Sequence, residues 1–87
     1  MATEQQIIEV GNEVINMLVH KNAAYGDSAL SPIAVFGHSD PLISLGARID
    51  DKLSRIRNRG VTDQTEDTIS DLIGYLILYK LALRNKK

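Results

Sequence analysis

The sequence predicts an all-α fold: a three-helix antiparallel bundle with a long loop between helices 1 and 2, assembling as a homo-oligomer. Three observations predict it. Apolar residues recur at three- and four-residue spacing in three separate stretches, the period of a helix with one buried face. Cap and breaker residues bound those stretches, with Thr3 and the pair Asp40-Pro41 as starts and Gly60 as a stop. The last stretch, Leu72 to Leu83, reads LIGYLILYKLAL and is apolar on nearly every side of a helix. Such a helix must be buried all round, and a chain of 87 residues has too little else to cover it. A second copy is therefore expected to cover the rest.

Residues 1–87 are expected to form a single helical domain. The first helix is expected over about residues 4–21. Thr3 followed by Gln6 has the spacing of a capping box. Ile7, Ile8, Val10, Val14, Ile15, Met17 and Leu18 then give it a wide apolar face. Residues 22–40 read as a loop. Tyr25-Gly26-Asp27-Ser28 is turn chemistry, and Ser31-Pro32 predicts a short helical turn through Ile33 to Phe36, stopped by Gly37. A loop this long in a small domain is often functional. Helix 2 is expected over about 41–58, with Leu42, Leu45, Ile49, Leu53 and Ile56 as its apolar stripe. Helix 3 is expected over about 66–84, capped by Thr65, with Glu66 and Asp67 in the first turn where the helix dipole favours negative charge.

With no cysteine, disulfides contribute nothing to stability, which fits a reducing compartment. The polar start and the shortness of the apolar run, interrupted by Gly74 and Lys80, predict a cytoplasmic protein with no membrane span. A formal net charge of −1 argues against nucleic acid as a partner.

Three constellations carry chemistry. On helix 2, Arg48, Lys52 and Arg55 form a basic row able to bracket phosphates, unless Arg48, Asp51 and Arg55 merely pair along a solvated face. In the loop, Tyr25 can stack on a base and Asp27 or Ser28 can bond ribose hydroxyls, unless the tyrosine simply packs beside an ordinary turn. Phe36 is a further candidate pocket wall. The candidate ligand-binding set is thus Tyr25, Gly26, Asp27, Ser28, Phe36, Arg48, Lys52 and Arg55, with no catalytic residue and no cofactor assigned. The third constellation is an alternative: Glu9 and Glu13 on helix 1 with Asp67 and Asp71 on helix 3 could hold Mg²⁺, unless Asp71 pairs with Arg or Lys from helix 2. His20 and His38 lack a metal-ligand spacing.

Together, YGDS in the loop, ARIDDKLSRI on helix 2 and EDTISDLIGYLILYKLA on helix 3 resemble small phage and prophage proteins of the nucleotide-modification-associated domain 1 family, over about Lys21 to Leu83. More distantly they resemble the all-α MazG-type nucleotide pyrophosphohydrolases. The resemblance implies a nucleotide-type ligand, a helical fold and oligomerisation. MazG-type enzymes hold Mg²⁺ with E-E-x-x-E and E-x-x-D motifs. Here those motifs are not intact, with Glu9 and Glu13 on one helix and Asp67 and Asp71 on the other. Small size, a self-associating core and cationic, tyrosine-bearing patches are also similar to the phage sponges that sequester immune signals. The expected function is therefore sequestration, without cleavage, of a nucleotide-derived signal of cyclic ADP-ribose or cyclic-dinucleotide type. The enzymatic alternative is a Mg-dependent nucleoside triphosphate pyrophosphohydrolase or a nucleotide-modification accessory protein.

Overall fold

Three α-helices make up the regular structure of the computed structural model, and no strand is present among the described residues. Those residues are 3–62 and 66–86, the side chain of Glu66 excepted. The expected cap at Thr65 and part of the linker before it lie outside them.

Helix α1 spans Glu4–Ala24. Its start is fixed reciprocally: the Gln6 N–H donates to Thr3 Oγ1 at 3.2 Å, and the Thr3 N–H donates to Gln6 Oε1 at 2.9 Å. Two orphan donors of the first turn are thereby satisfied. The helix continues past Lys21 because its stop signal lies later. Gly26 adopts a left-handed φ of 61°. The Asp27 N–H then reaches back to the Asn22 carbonyl and the Gly26 N–H to that of Ala23. This is the Schellman pattern, in which glycine takes the left-handed position without steric cost. Part of the turn chemistry read in Tyr25-Gly26-Asp27-Ser28 is therefore helix termination.

The expected helical turn at Ile33 to Phe36 is absent. Residues 31–40 are irregular, and Ala34 sits at φ 59°, a left-handed conformation that breaks a right-handed helix. Turn structure lies earlier, where the Leu30 and Ser31 N–H groups both donate to the Asp27 carbonyl.

Helix α2 spans Pro41–Arg59. The Asp40 carboxylate accepts from the Leu42 N–H at 2.9 Å, and Pro41 presets the first-turn φ. At the other end the Gly60 N–H donates to the Ile56 carbonyl. Helix α3 spans Glu66–Asn85.

Helices α2 and α3 lie antiparallel: Leu42, at the start of α2, packs against the cluster that holds Ala82 near the end of α3, and Lys52 bonds Asp71 near the start of α3. Between these points Leu45, Leu78, Ala82 and the loop residue Ala29 form the core, with Leu18, Leu30, Leu42, Tyr75 and Tyr79 packed around it. Leu45 is sealed completely, at 0% exposure.

Helix α1 is placed differently. It meets α3 where α3 has no side chain: a Cβ added to Gly74 would stand 3.4 Å from Leu18 Cδ1 and 3.9 Å from Met17 Cε. A methyl group would just fit there, and a side chain larger than alanine's would meet Leu18 and Met17. Farther toward its N-terminus every residue of α1 and its cap from Thr3 to Val10 is exposed, including Ile7, Ile8 and Val10. The molecule is accordingly elongated, 43 × 29 × 25 Å. No described helix is long and apolar enough to cross a membrane.

Candidate functional site

The crossing of α1 over α3 opens a cleft of about 290 Å³ beside Gly74. Its apolar wall includes Leu18, Gly74 and Leu78, and its polar lining includes Lys21, Tyr25, Ser28, Arg48, Asp71 and Tyr75. All three helices and the turn after α1 contribute. Each polar group is there for a local reason. Lys21 is the next step along the α1 stripe of Val14 and Leu18, so it points at α3. Asp71 and Tyr75 are four apart on α3, hence on one face. Arg48 is one turn before Lys52 on the side of α2 that meets them.

Asp71 is the electrostatic centre. Its Oδ1 accepts from Lys21 Nζ at 3.0 Å and its Oδ2 from Lys52 Nζ at 3.2 Å. One carboxylate therefore ties α1 and α2 to α3. Partial burial acts to raise the Asp71 pKa, but the hydrogen bonds and charges of Lys21 and Lys52 outweigh it and hold the carboxyl below its ordinary value. The reciprocal effect acts on Lys21. Its hydrogen bond to Asp71 raises its pKa above the ordinary lysine value, against the smaller opposing effect of burial.

Tyr75 gathers the remaining charge. The Arg48 guanidinium lies 5.9 Å and Lys52 Nζ 6.0 Å from its ring centroid, both within cation–π range. Lys21 and Arg48 line the cleft and Lys52 stands behind Asp71, so against that single carboxylate the site keeps an excess of positive charge. Such a site favours an anion, and the Tyr25 and Tyr75 rings offer flat faces to a base or another planar group.

Of the residues singled out in the sequence, Tyr25, Ser28 and Arg48 line this cleft, and Lys52 supports it through Asp71. Gly26 and Asp27 do not line it; both take left-handed backbone conformations in the turn that ends α1. Arg55 is exposed one turn further along α2, and Phe36 is wholly exposed in the irregular loop; neither lines the cleft. The carboxylates of the Mg²⁺ alternative are otherwise engaged or apart. Asp71 holds two lysines, Glu9 accepts from the Gln5 amide on its own helix, and Asp67 is exposed. Among the described residues no three His, Cys, Asp or Glu side chains come together as a metal site would require. The intrahelical ladder Arg48–Asp51–Arg55 does not form among them either; the ion pairs seen both end on Asp71.

Two site residues were not foreseen. Lys21 had a usable signal, a cation continuing an apolar stripe at the end of a helix. Tyr75 had a weaker one, its four-residue spacing from Asp71, hidden by the apolar run around it.

Comparison of the chain with protein-family models, with curated proteins and with solved structures finds no match. Function is therefore argued from the cleft.

Proposed function

We propose that the protein binds a nucleotide-derived small molecule in this cleft and holds it without cleaving it, as a homo-oligomer. The observation that carries the proposal is the net positive cleft in which Arg48, Lys21 and Lys52 converge beside Tyr75 and Tyr25. Arg48 presents a planar fork suited to phosphate oxygens. Lys21 has 45% of its side chain exposed and is free to turn from Asp71 toward a second phosphate oxygen. Tyr25, the more exposed of the two rings, stacks on the base, and Ser28 takes a ribose hydroxyl. A volume of about 290 Å³ lies at the small end of the range for ligand sites, which suits one nucleotide unit better than two.

Binding without turnover is supported by the use made of Asp71. A hydrolase of the MazG kind needs its carboxylates for Mg²⁺, and here the central one is bound at both oxygens by lysine. Sequestration needs only tight binding and slow release. In biological terms the reading is a phage-type anti-defence sponge acting in the host cytoplasm.

The test is to purify the protein, denature it and identify released small molecules by mass spectrometry, alongside a thermal-shift panel of nucleotides. A nucleotide recovered intact, or a melting shift with one, is expected; pyrophosphate released from a nucleoside triphosphate with Mg²⁺ would overturn the reading. Arg48→Ala should weaken binding by about 1–3 kcal/mol, the value of a charge-assisted phosphate contact. Unchanged affinity would remove Arg48 from the site.

A further inference from the structure

Helix α3 has two faces of opposite fate. Asp71, Tyr75, Leu78 and Ala82 turn toward α2 and the cleft. On the other side Ile69, Leu76 and Leu83 are spaced seven apart, so they fall on one line along the helix. Leu76 is 50% and Leu83 48% exposed, and Ile73, beside the line, is 38% exposed. The described residues leave Leu76 and Leu83 about half exposed, whereas Ile69 is half-buried and borders a groove against Val10 and Val14 of α1.

The geometry points to a second copy of the same chain as its occupant, with the two α3 helices packed antiparallel about a two-fold axis at Leu76. Three observations select this partner and this direction. First, the row is its own complement: a two-fold through Leu76 sets Ile69 of one copy opposite Leu83 of the other and Leu76 opposite itself, as an isologous interface requires. Second, charge favours antiparallel packing. By sequence α3 begins on Glu66 and Asp67 and carries Lys80 and Arg84 toward its end, so antiparallel copies place acidic starts beside basic ends, whereas parallel copies place like beside like. Third, the single subunit is short of core. Among the described residues Leu45 alone is completely sealed, while Ile73, Leu76, Ile77 and Leu83 of α3 stay at least 38% exposed, apolar surface that a partner would withdraw from water. A net charge of −1 puts little repulsion between copies. This inference rests on the self-association in the reading above and is independent of the ligand.

Absence of cysteine allows a test of register as well as of association. Packed helices run about 8–10 Å apart, beyond the reach of most disulfides, so a short thiol-to-thiol cross-linker is the appropriate reagent. Leu76→Cys should convert largely to covalent dimer. Ile69→Cys and Leu83→Cys should cross-link poorly alone and well when mixed, because the axis sets 69 against 83. Ile15→Cys, on the outer stripe of α1, is the control. Cross-linking at 15 as strong as at 76, or a wild-type chain that sediments as a folded single subunit at micromolar concentration, would overturn the proposal. Leu76→Asp should lose the dimer, with circular dichroism reporting whether helices persist; the cysteine series does not depend on that variant folding. Cross-linking at 76 without nucleotide binding would uphold the seam and remove only the ligand reading.

Discussion

Helix α3 is held on its two sides in different ways. Toward α2 it presents a continuous apolar face, with Leu45 sealed between Leu78, Ala82 and Ala29. Toward α1 it presents a gap at Gly74, into which Leu18 and Met17 fit, and one charged contact from Lys21 to Asp71. The first contact is a core in the ordinary sense, and its strength scales with the apolar area withdrawn from water. The second is a crossing point, narrow and shape-dependent, and it leaves the first turns of α1 unsupported. The cleft lies at that crossing, between the last turns of α1 and the α2–α3 pair.

The largest expected effect follows from breaking the stronger side. Leu45→Ala should cost about 2–5 kcal/mol, the range for removing a fully buried leucine and leaving a cavity. In so small a chain that is a large part of the whole stability. Chemical denaturation would measure it. A loss below about 1 kcal/mol would mean that the α2–α3 seam is looser than its burial indicates.

A smaller effect is expected at the crossing. Gly74→Leu places a side chain where Leu18 Cδ1 already stands, so α1 must move away, at a cost of about 1–3 kcal/mol for an overpacked contact. Hydrogen exchange should show faster opening of α1 while the α2–α3 seam keeps its protection. Nucleotide affinity should fall with it, since Lys21 and Tyr25 leave the cleft with α1. Equal loosening of all three helices would show that α1 is as integral as the pair beneath it.

The same contrast separates what was legible in the sequence from what was not. Local signals were read directly, because caps act within a few residues: Thr3 with Gln6 opens α1, Asp40-Pro41 opens α2, and Gly60 closes it. The α2 stripe located Leu45 because a regular apolar period identifies a buried face. The loop misled. Ser31-Pro32 resembles a helix start, but Ala34 turns left-handed and no helical turn follows. The position of α1 was also hidden. Gly74 read as an interruption in an apolar run, and only the fold shows that it is where another helix crosses. Lys21 stood out only as a cation continuing the α1 stripe, and its partner, fifty positions away, was hidden for the same reason. Arg48, Tyr25 and Ser28 were found by residue chemistry, whereas Phe36 and Arg55 had suitable chemistry and lie outside the cleft.

The smallest expected effect concerns the charged half of the crossing. Lys21→Met retains the apolar stem and removes the charge. Because the Lys21 side chain is 45% exposed and that of Asp71 22%, the pair contributes no more than about 1 kcal/mol near neutral pH. Its pH dependence is more telling than its size. The Asp71 carboxyl titrates below its ordinary value in the folded chain, so its stabilisation is complete above the ordinary carboxylate range and is lost as pH falls through the lowered value. Lys21 titrates above its ordinary value, so its share is complete below the ordinary lysine range and is lost as pH rises through the raised value. Between these limits the difference in stability between wild type and Lys21→Met should be constant, and it should close at both extremes. Urea titrations across that range would follow it. A difference that persisted in acid, with Asp71 protonated, would show that Lys21 steadies α1 by something other than its pairing with Asp71.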